Sequence, residues 1–570
     1  MAARERPADG IERHAQTGAG DDVARFARET KRRVATGVAI MTNDIGVRSI
    51  MRRIHTRRQF LQRSLGATAA VGASSLILPR IVEARTEGNT LVVAHVEEVG
   101  TLDPKVWGGF AAIYVQTQIY DTLMREDPVT GELRPSLAVS WENPDPLTYR
   151  YTLREGAKFH NGAPVTAEDV AFTFNRIADP NEGAWELYMF VNVDEAVALD
   201  DLTIEVRMKQ PDHQFQFIGY FEGGNICNKE HVQELGDGIG TNPVGAGPYR
   251  FVDRDPSRVV LEAFEDYYEG KPPIERIEFR NIKDATTIVA GLRSGDIHLS
   301  YDVPRDQAII LERSDEVNIQ TAPGWEHTLL HMANQKPPFN DVKVRQAIRY
   351  AIDPGAALAA FSKKYIEPAY GSFIPPNVPF SSHDENAGTY APDIEKAKAL
   401  MAESSLPDGF SANMAVNPGV RYEALALAIQ QQVKPLGIDV TIQRLPAPDT
   451  IALAYSHDFD SILMYWISDY TDISSFLLQW YGPNGGEFGP NFTEHADEEY
   501  DKHFETSLYT TDDAEREVAF KECQRILTER QPSLCLAFPQ TVRFQSSRLT
   551  GAQTLPVYVY DRYADIAFSE

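Results

Sequence analysis

The chain has 570 residues, 43% of them hydrophobic and 24% charged, with a mean hydropathy of −0.33. That length exceeds what one core organises and predicts two or three domains, and the composition excludes a disordered or membrane-spanning class for the bulk of the chain. The formal net charge of −27 averages two unlike parts: residues 1–85 hold 16 Lys or Arg against 8 Asp or Glu, leaving 39 against 74 beyond them. So acidic a surface excludes nucleic acid and anionic membranes as partners.

The basic part contains TRRQFLQRSLGATAAVGASSLILPRIVEAR (56–85), in which Arg57 and Arg58 precede a weakly apolar run and the small-residue site at Ala84. This pattern predicts an export signal of the twin-arginine type, within an N-terminal extension and signal peptide covering 1–84. The apolar run is broken by Gly, Ser and Pro and falls short of the ~18–20 apolar residues that cross a membrane. The mature protein is expected to begin near Arg85 and to work in the periplasm. Residues 1–40 resemble no leader, so Met41 and Met51 stand beside Met1 as candidate starts. Three cysteines follow, Cys227, Cys523 and Cys535. Only Cys523 and Cys535 are close in sequence, which leaves one possible disulfide open. A twin-arginine substrate folds in a reducing cytoplasm, so its fold does not depend on that bridge.

Next come the elements in order. TLVVAHVEEV (90–99) predicts a buried strand. YRYTLREGAKFHNG (149–162) alternates as a half-exposed strand before a Gly turn. In VTAEDVAFTFNRI (165–177), Thr166 with Asp169 three residues later predicts a capped helix start. VGAGPYRF and RVVLEAF read as a turn and hairpin, IERIEFRNI as a strand, and the stretch ending at LRSGDIHLS as a helix. HTLLHMAN (327–334) predicts a strand leading into a helix capped by Asn340 or Asp341, with Val344, Ala347, Ile348 and Ala351 as its apolar stripe; Asp353-Pro354 opens the next helix. Further amphipathic helices (PDIEKAKALMAE, ALALAIQQQVKPLG, DDAEREVAFKECQRILTER) alternate with the strands GIDVTIQRL and DFDSILMYW, an α/β pattern.

Taken together, YDTLMREDPVTGELRPSLAVSW, YTLREGAKFHNGAPVTAEDVAFTF, VGAGPYRF, LRSGDIHL and KPPFNDVKVRQAIRYAID, in this order and spacing, resemble the extracytoplasmic solute-binding proteins of peptide, nickel and related ABC importers. The resemblance runs from Leu91 to the C-terminus. It implies an α/β, two-lobed periplasmic-binding-protein fold of the large type with an extra subdomain inserted in lobe I. Lobe I would comprise 85–125, 244–333 and 532–570, the insert 126–243, and lobe II 334–531, closing by a hinge around a solute. The implied partners are a small solute and an ABC-type inner-membrane permease, and the protein is expected to act as a monomer. Gly162 and Gly245 are expected to serve turns, and Arg345 to pair with acids at a helix end or lobe surface.

An exported hydrolase is the alternative class. G-x-S-x-G, G-x-x-x-x-G-K-[ST] and H-E-x-x-H are all absent from the sequence, and no catalytic residue or cofactor is expected. His327 and His331 are four apart on an expected strand, where an ordinary strand-face role is the simpler account than metal binding.

For the ligand site, DFDSILMYW delivers Ile467, Ser468 and Asp469, with Trp466, to the carboxyl end of a buried strand, where ligands collect in open α/β sheets. YWISDYTDISSFL (465–477) resembles a stretch of oligopeptide-binding relatives whose Asp pairs with the peptide α-ammonium, a role that falls on Asp469. Trp466 and Tyr470 are the candidates for cation–π or apolar contact, and Asp472 reads as turn chemistry. Dipeptide-binding relatives place an Arg before an Asn-Pro pair to hold the ligand carboxylate. Here Met414 stands there, Arg421 after Asn417-Pro418 is the substitute, and Ile473 occupies a place where Pro is common. From lobe I, Trp107 and Tyr114 are candidates; Trp185, Tyr188 and Trp325 rank below them. The expected ligand is an oligopeptide or another amine-bearing molecule. An oligosaccharide or glycoside, and a metal chelate or haem, are the alternatives on the same scaffold.

Overall fold

The computed structural model describes residues 89–569 except 128–131, 220–223, 305–306, 360–363, 387, 418–421, 486–488, 552 and 558–560. The expected leader and Arg421 lie outside the described residues. No helix of the described residues is long and apolar enough to cross a membrane.

Two mixed sheets organise the chain. The first has seven strands in the order Val317–Ala322, Thr541–Ser546, Leu299–Ser300, Thr90–His95, Arg276–Asn281, Arg258–Ala263 and Tyr249–Asp255. Its central strand Thr90–His95 is buried along its whole length and pairs in parallel on both sides, which is why TLVVAH is continuously apolar rather than alternating. The second has six strands in the order Ile366–Pro368, Ser533–Pro539, Glu326–Met332, Ser461–Ile467, Phe410–Val416 and Ile438–Arg444. A four-stranded antiparallel sheet, Ala138–Asp145, Thr148–Leu153, Thr203–Met208 and Val193–Ala198, lies in sequence between strands Thr90–His95 and Tyr249–Asp255 of the seven-stranded sheet.

The chain passes between the two large sheets at 323–325 and again at Gln540. Strands Glu326–Met332 and Ser533–Pro539 therefore pair in the second sheet, whereas boundaries at 333/334 and 531/532 put the first of them in lobe I and the second in its C-terminal segment. Both strands are buried throughout. A strand buried on both faces fits either sheet, so its pattern does not say which one it joins.

Local chemistry sets the helix starts. Asp169 accepts hydrogen bonds from the Thr166 backbone N–H (3.0 Å) and hydroxyl (2.7 Å), opening helix Ala167–Ala178. Asp341 caps Val342–Ala351 through the Lys343 N–H, and Asp353 caps Pro354–Ala357 through the Ala356 N–H. Arg345 departs from expectation: it is buried, and its guanidinium donates to the carbonyls of Phe339, Arg530 and Gln531 rather than to acids. The Arg530 and Gln531 carbonyls lie at the end of helix Asp513–Arg530, so the arginine satisfies acceptors at that helix terminus. Cys227, Cys523 and Cys535 are all buried free thiols, and the 523–535 bridge is not formed.

Candidate ligand-binding site

The strand Ser461–Ile467 lies inside the six-stranded sheet, antiparallel to Glu326–Met332 and parallel to Phe410–Val416. Its alternate side chains pack on opposite faces, Leu463 with Met414 and Val416 on one, Ile462 and Trp466 with Phe459 and Phe492 on the other. Where the pairing ends, the chain turns into the short helix Ser474–Leu477. Asp469 sits in that turn.

Asp469 is half-buried and has hydroxyl partners only among those resolved. The Tyr188 hydroxyl donates to its Oδ2 at 2.9 Å, and its backbone N–H donates to the Ser475 hydroxyl oxygen at 2.7 Å. Burial pushes its carboxyl up to about 7, against smaller opposing effects of the Tyr188 and Ser475 hydrogen bonds. Three residues on, Asp472 differs. It is buried, caps Ser474, and forms a two-oxygen ion pair with Arg516 at 2.9 and 3.0 Å.

Aromatic rings connect Asp469 to the other side of the cleft. Trp185, three residues before Tyr188, packs edge-on against Trp107 (4.9 Å between centroids), and Trp107 packs edge-on against Phe110 (5.2 Å). Phe110 stacks on Tyr465 at 5.7 Å, and Tyr465 stacks on Tyr422 at 6.0 Å. On the opposite face of the strand, Trp466 and Tyr455 both pack edge-on against Phe492. The charge of Asp469 is felt by the Tyr455 phenol, whose pKa rises to about 12 chiefly through burial. Trp466 Nε1 is buried without a hydrogen-bond partner among the described residues. A second acid, Glu97, lies two residues beyond strand Thr90–His95, accepts from the Ala111 N–H at 3.2 Å and is pushed up to about 7 by burial.

Of the residues singled out in the sequence, the structure brings Asp469, Trp466 and Trp107 to this cluster. Tyr470 is fully buried, with its ring stacked on Phe217 at 5.4 Å and its hydroxyl against Ser474. The turn after Ile467 breaks the alternation of the strand and sends Tyr470 inward. Ser468 is buried, donating to the Tyr470 carbonyl at 2.6 Å, and Ile467 is buried in the register opposite Glu326. Tyr114 is buried against Tyr301 at 5.4 Å. Tyr188, Trp185 and Phe110 join this cluster, and short-range sequence pattern does not single them out. Trp185 and Tyr188 offered only aromatic identity as a signal, and Phe110 only its place after Trp107.

Other candidate chemistry is tied up in the packing. His327 donates from Nδ1 to the Phe373 carbonyl and accepts at Nε2 from Gln479, and His331 contacts the Ser533 hydroxyl; burial lowers their pKa values to about 4 and about 3. Glu499, His503 and Glu522 converge on the surface with metal-like spacing, yet Arg525 already occupies both carboxylates at 2.6 and 2.7 Å.

Two lobes built on separate sheets, joined by two crossings and facing each other across aromatic rings and a half-buried carboxylate, define a hinge-closing binding protein. The chain belongs to the bacterial extracellular solute-binding proteins, family 5, whose middle region matches residues 132–488. It is 27% identical over 436 residues to a glutathione-binding protein of Pectobacterium atrosepticum, covering 72% of this chain and 81% of that one. A di/tripeptide-binding protein of Pseudomonas aeruginosa is 25% identical over 536 residues, 89% of this chain and 97% of the relative. The Helicobacter pylori periplasmic binding protein DppA, solved with the peptide STSA, shares the fold with a TM-score of 0.79, at 24% identity over 85% of this chain and 98% of its own. Its family makes this chain a solute-binding protein that works outside the cytoplasm.

Proposed function

We propose that this protein captures a peptide or another amine-bearing solute between its lobes in the periplasm and hands it to an ABC-type permease, without catalysing a reaction. The observation that carries this reading is Asp469. A half-buried carboxylate whose partners among the described residues are hydroxyls keeps part of its desolvation cost, and a sealed-in ammonium group offsets it. Trp107, packed on Trp185, and Trp466, packed on Phe492, would supply aromatic faces suited to a cation or an apolar side chain. The relatives' names support the ligand class, since di- and tripeptides and glutathione all carry a primary amine. The twin arginines at Arg57 and Arg58 support export in the folded state.

The test is native mass spectrometry of protein isolated from its own host, followed by calorimetric titration of the solute found into wild type and Asp469→Ala. An amine-bearing solute whose binding is lost in Asp469→Ala is the expected result. A neutral sugar in the cleft, or unchanged affinity in the variant, overturns the reading.

A further inference from the structure

We propose that the loop 212–217 of the inserted segment is a latch that fastens the closed lobes whether or not a solute is present, with His213 as its fastening residue. Its partners belong to lobe II. The His213 backbone N–H donates to the Leu508 carbonyl at 3.0 Å, and its ring donates from Nε2 to the Thr510 carbonyl, at the end of helix Glu498–Tyr509. Carbonyls in the last turn of a helix have no partner within the helix, so His213 satisfies acceptors that otherwise depend on water. Burial, with the Arg516 charge next, lowers the pKa of the ring and keeps it neutral at neutral pH. Further along the same loop, Phe217 stacks on Tyr470 at 5.4 Å with 15° between planes.

The base of the loop is built into the inserted segment. Phe215 is buried against Tyr149 at 4.8 Å, Phe174 at 6.1 Å and Phe190 at 6.5 Å. The Asp212 side chain accepts from the Gln214 N–H at 2.9 Å and the Asn192 amide at 2.7 Å, and its carbonyl accepts from the Tyr149 hydroxyl at 2.8 Å. The inserted segment is in turn fastened to lobe I. Arg176 meets both oxygens of Asp103 at 3.1 and 2.8 Å in a buried pair, and backbone hydrogen bonds join Leu102 to Gly240, Lys105 to Trp185 and Asp121 to Ile226. A hinge motion at 323–325 and Gln540 therefore carries the loop with lobe I and pulls His213 and Phe217 off lobe II. Because His213 is held by backbone carbonyls rather than by a solute, the latch favours the closed form by the same factor in the empty and the occupied protein. Its existence is independent of what Asp469 binds.

The experiment is small-angle scattering of the ligand-free full chain in wild type, His213→Ala and the double variant His213→Cys with Thr510→Cys, joined by a short, reducible thiol crosslinker. The native thiols Cys227, Cys523 and Cys535 are buried and do not compete for it. His213→Ala is expected to shift the closed-to-open ratio toward open by about threefold to tenfold, the scale of one hydrogen bond, and so to enlarge the radius of gyration. The crosslinked double variant is expected to hold a smaller radius than the same protein after reduction. A role in folding alone would lower the melting temperature of His213→Ala and leave its radius at the wild-type value, and that result overturns the proposal. A crosslinked protein whose radius does not change on reduction also overturns it, because the loop then travels with lobe II or never leaves it. Either failure leaves the reading of Asp469 in place.

Discussion

A carboxylate that leaves water loses several kcal/mol of hydration and recovers it only from a cation or from enough donors. Asp472 recovers it from Arg516, whereas Asp469 is met by the Tyr188 hydroxyl and a turn fixed by Ser475. The Asp469 carboxyl titrates at about 7 in the folded chain against an ordinary 3.8, so its ionisation opposes folding. The sign follows: the penalty is absent below the unfolded value, grows as pH rises, and is complete above the folded value. Asp469→Asn is therefore expected to raise the melting temperature of the ligand-free protein, and to raise it more at about pH 8 than at about pH 5, by thermal scans at matched ionic strength. A variant that lowers stability at both values contradicts this. The same proton reports on the ligand. A cation entering the site near pH 7 must displace the proton carried by the un-ionised fraction, so calorimetry in two buffers of different ionisation enthalpy should show net proton release on binding. A neutral solute should show none.

At the scale of elements, Asp472 and Arg516 tie the turn after strand Ser461–Ile467 to the long helix Asp513–Arg530. Both side chains are more than nine-tenths buried, so truncating either leaves the other charge without its partner. Asp472→Ala is expected to cost about 3–5 kcal/mol in denaturant unfolding, opposite in sign to Asp469→Asn. The double variant Asp472→Ala with Arg516→Met should recover part of the loss. The sequence made the turn visible, because an acid two residues before Ser474 is ordinary capping chemistry. It could not show Arg516, which lies 44 residues away. The same division runs through the molecule. Strands, helix starts and the end of Ser461–Ile467 follow from local pattern and were legible. The inward side of Tyr470, the carbonyl partners of Arg345 and the sheet joined by Glu326–Met332 depend on tertiary pairing, and short-range pattern does not encode them. Of the candidate site, the acid and the tryptophans were legible. The tyrosine that meets the acid was not favoured, since nothing near Tyr188 in sequence distinguishes it from a packed core ring.

At the scale of the whole molecule, binding requires that closure be favourable when ligand is present and reversible when it is not. Phe110 and Tyr465 supply a contact of suitable size. Their rings stack at 5.7 Å with 22° between planes, joining the helix Phe110–Ile119 beside the seven-stranded sheet to the central strand of the six-stranded one. Glu97 steadies the first turn of that helix by accepting from the Ala111 N–H, so the ring is presented by a fixed backbone. An aromatic pair of this kind contributes about 0.5–1.5 kcal/mol beyond its buried area. It also adds to the closed state alone, because opening the lobes separates the rings. Phe110→Ala is therefore expected to weaken ligand affinity by about threefold to tenfold, almost entirely through faster dissociation, since the open form that ligand enters keeps the same surface otherwise. Stopped-flow fluorescence reads the two rates, and small-angle scattering should show a less complete compaction on saturation than in wild type. The ligand-free melting temperature should change little, because Phe110 is half-buried and stands at the start of its helix. A wild-type dissociation rate in Phe110→Ala would mean that the stack merely lines the cleft and that closure draws its stability elsewhere, with the stacked Phe217–Tyr470 pair as the next contact to cut.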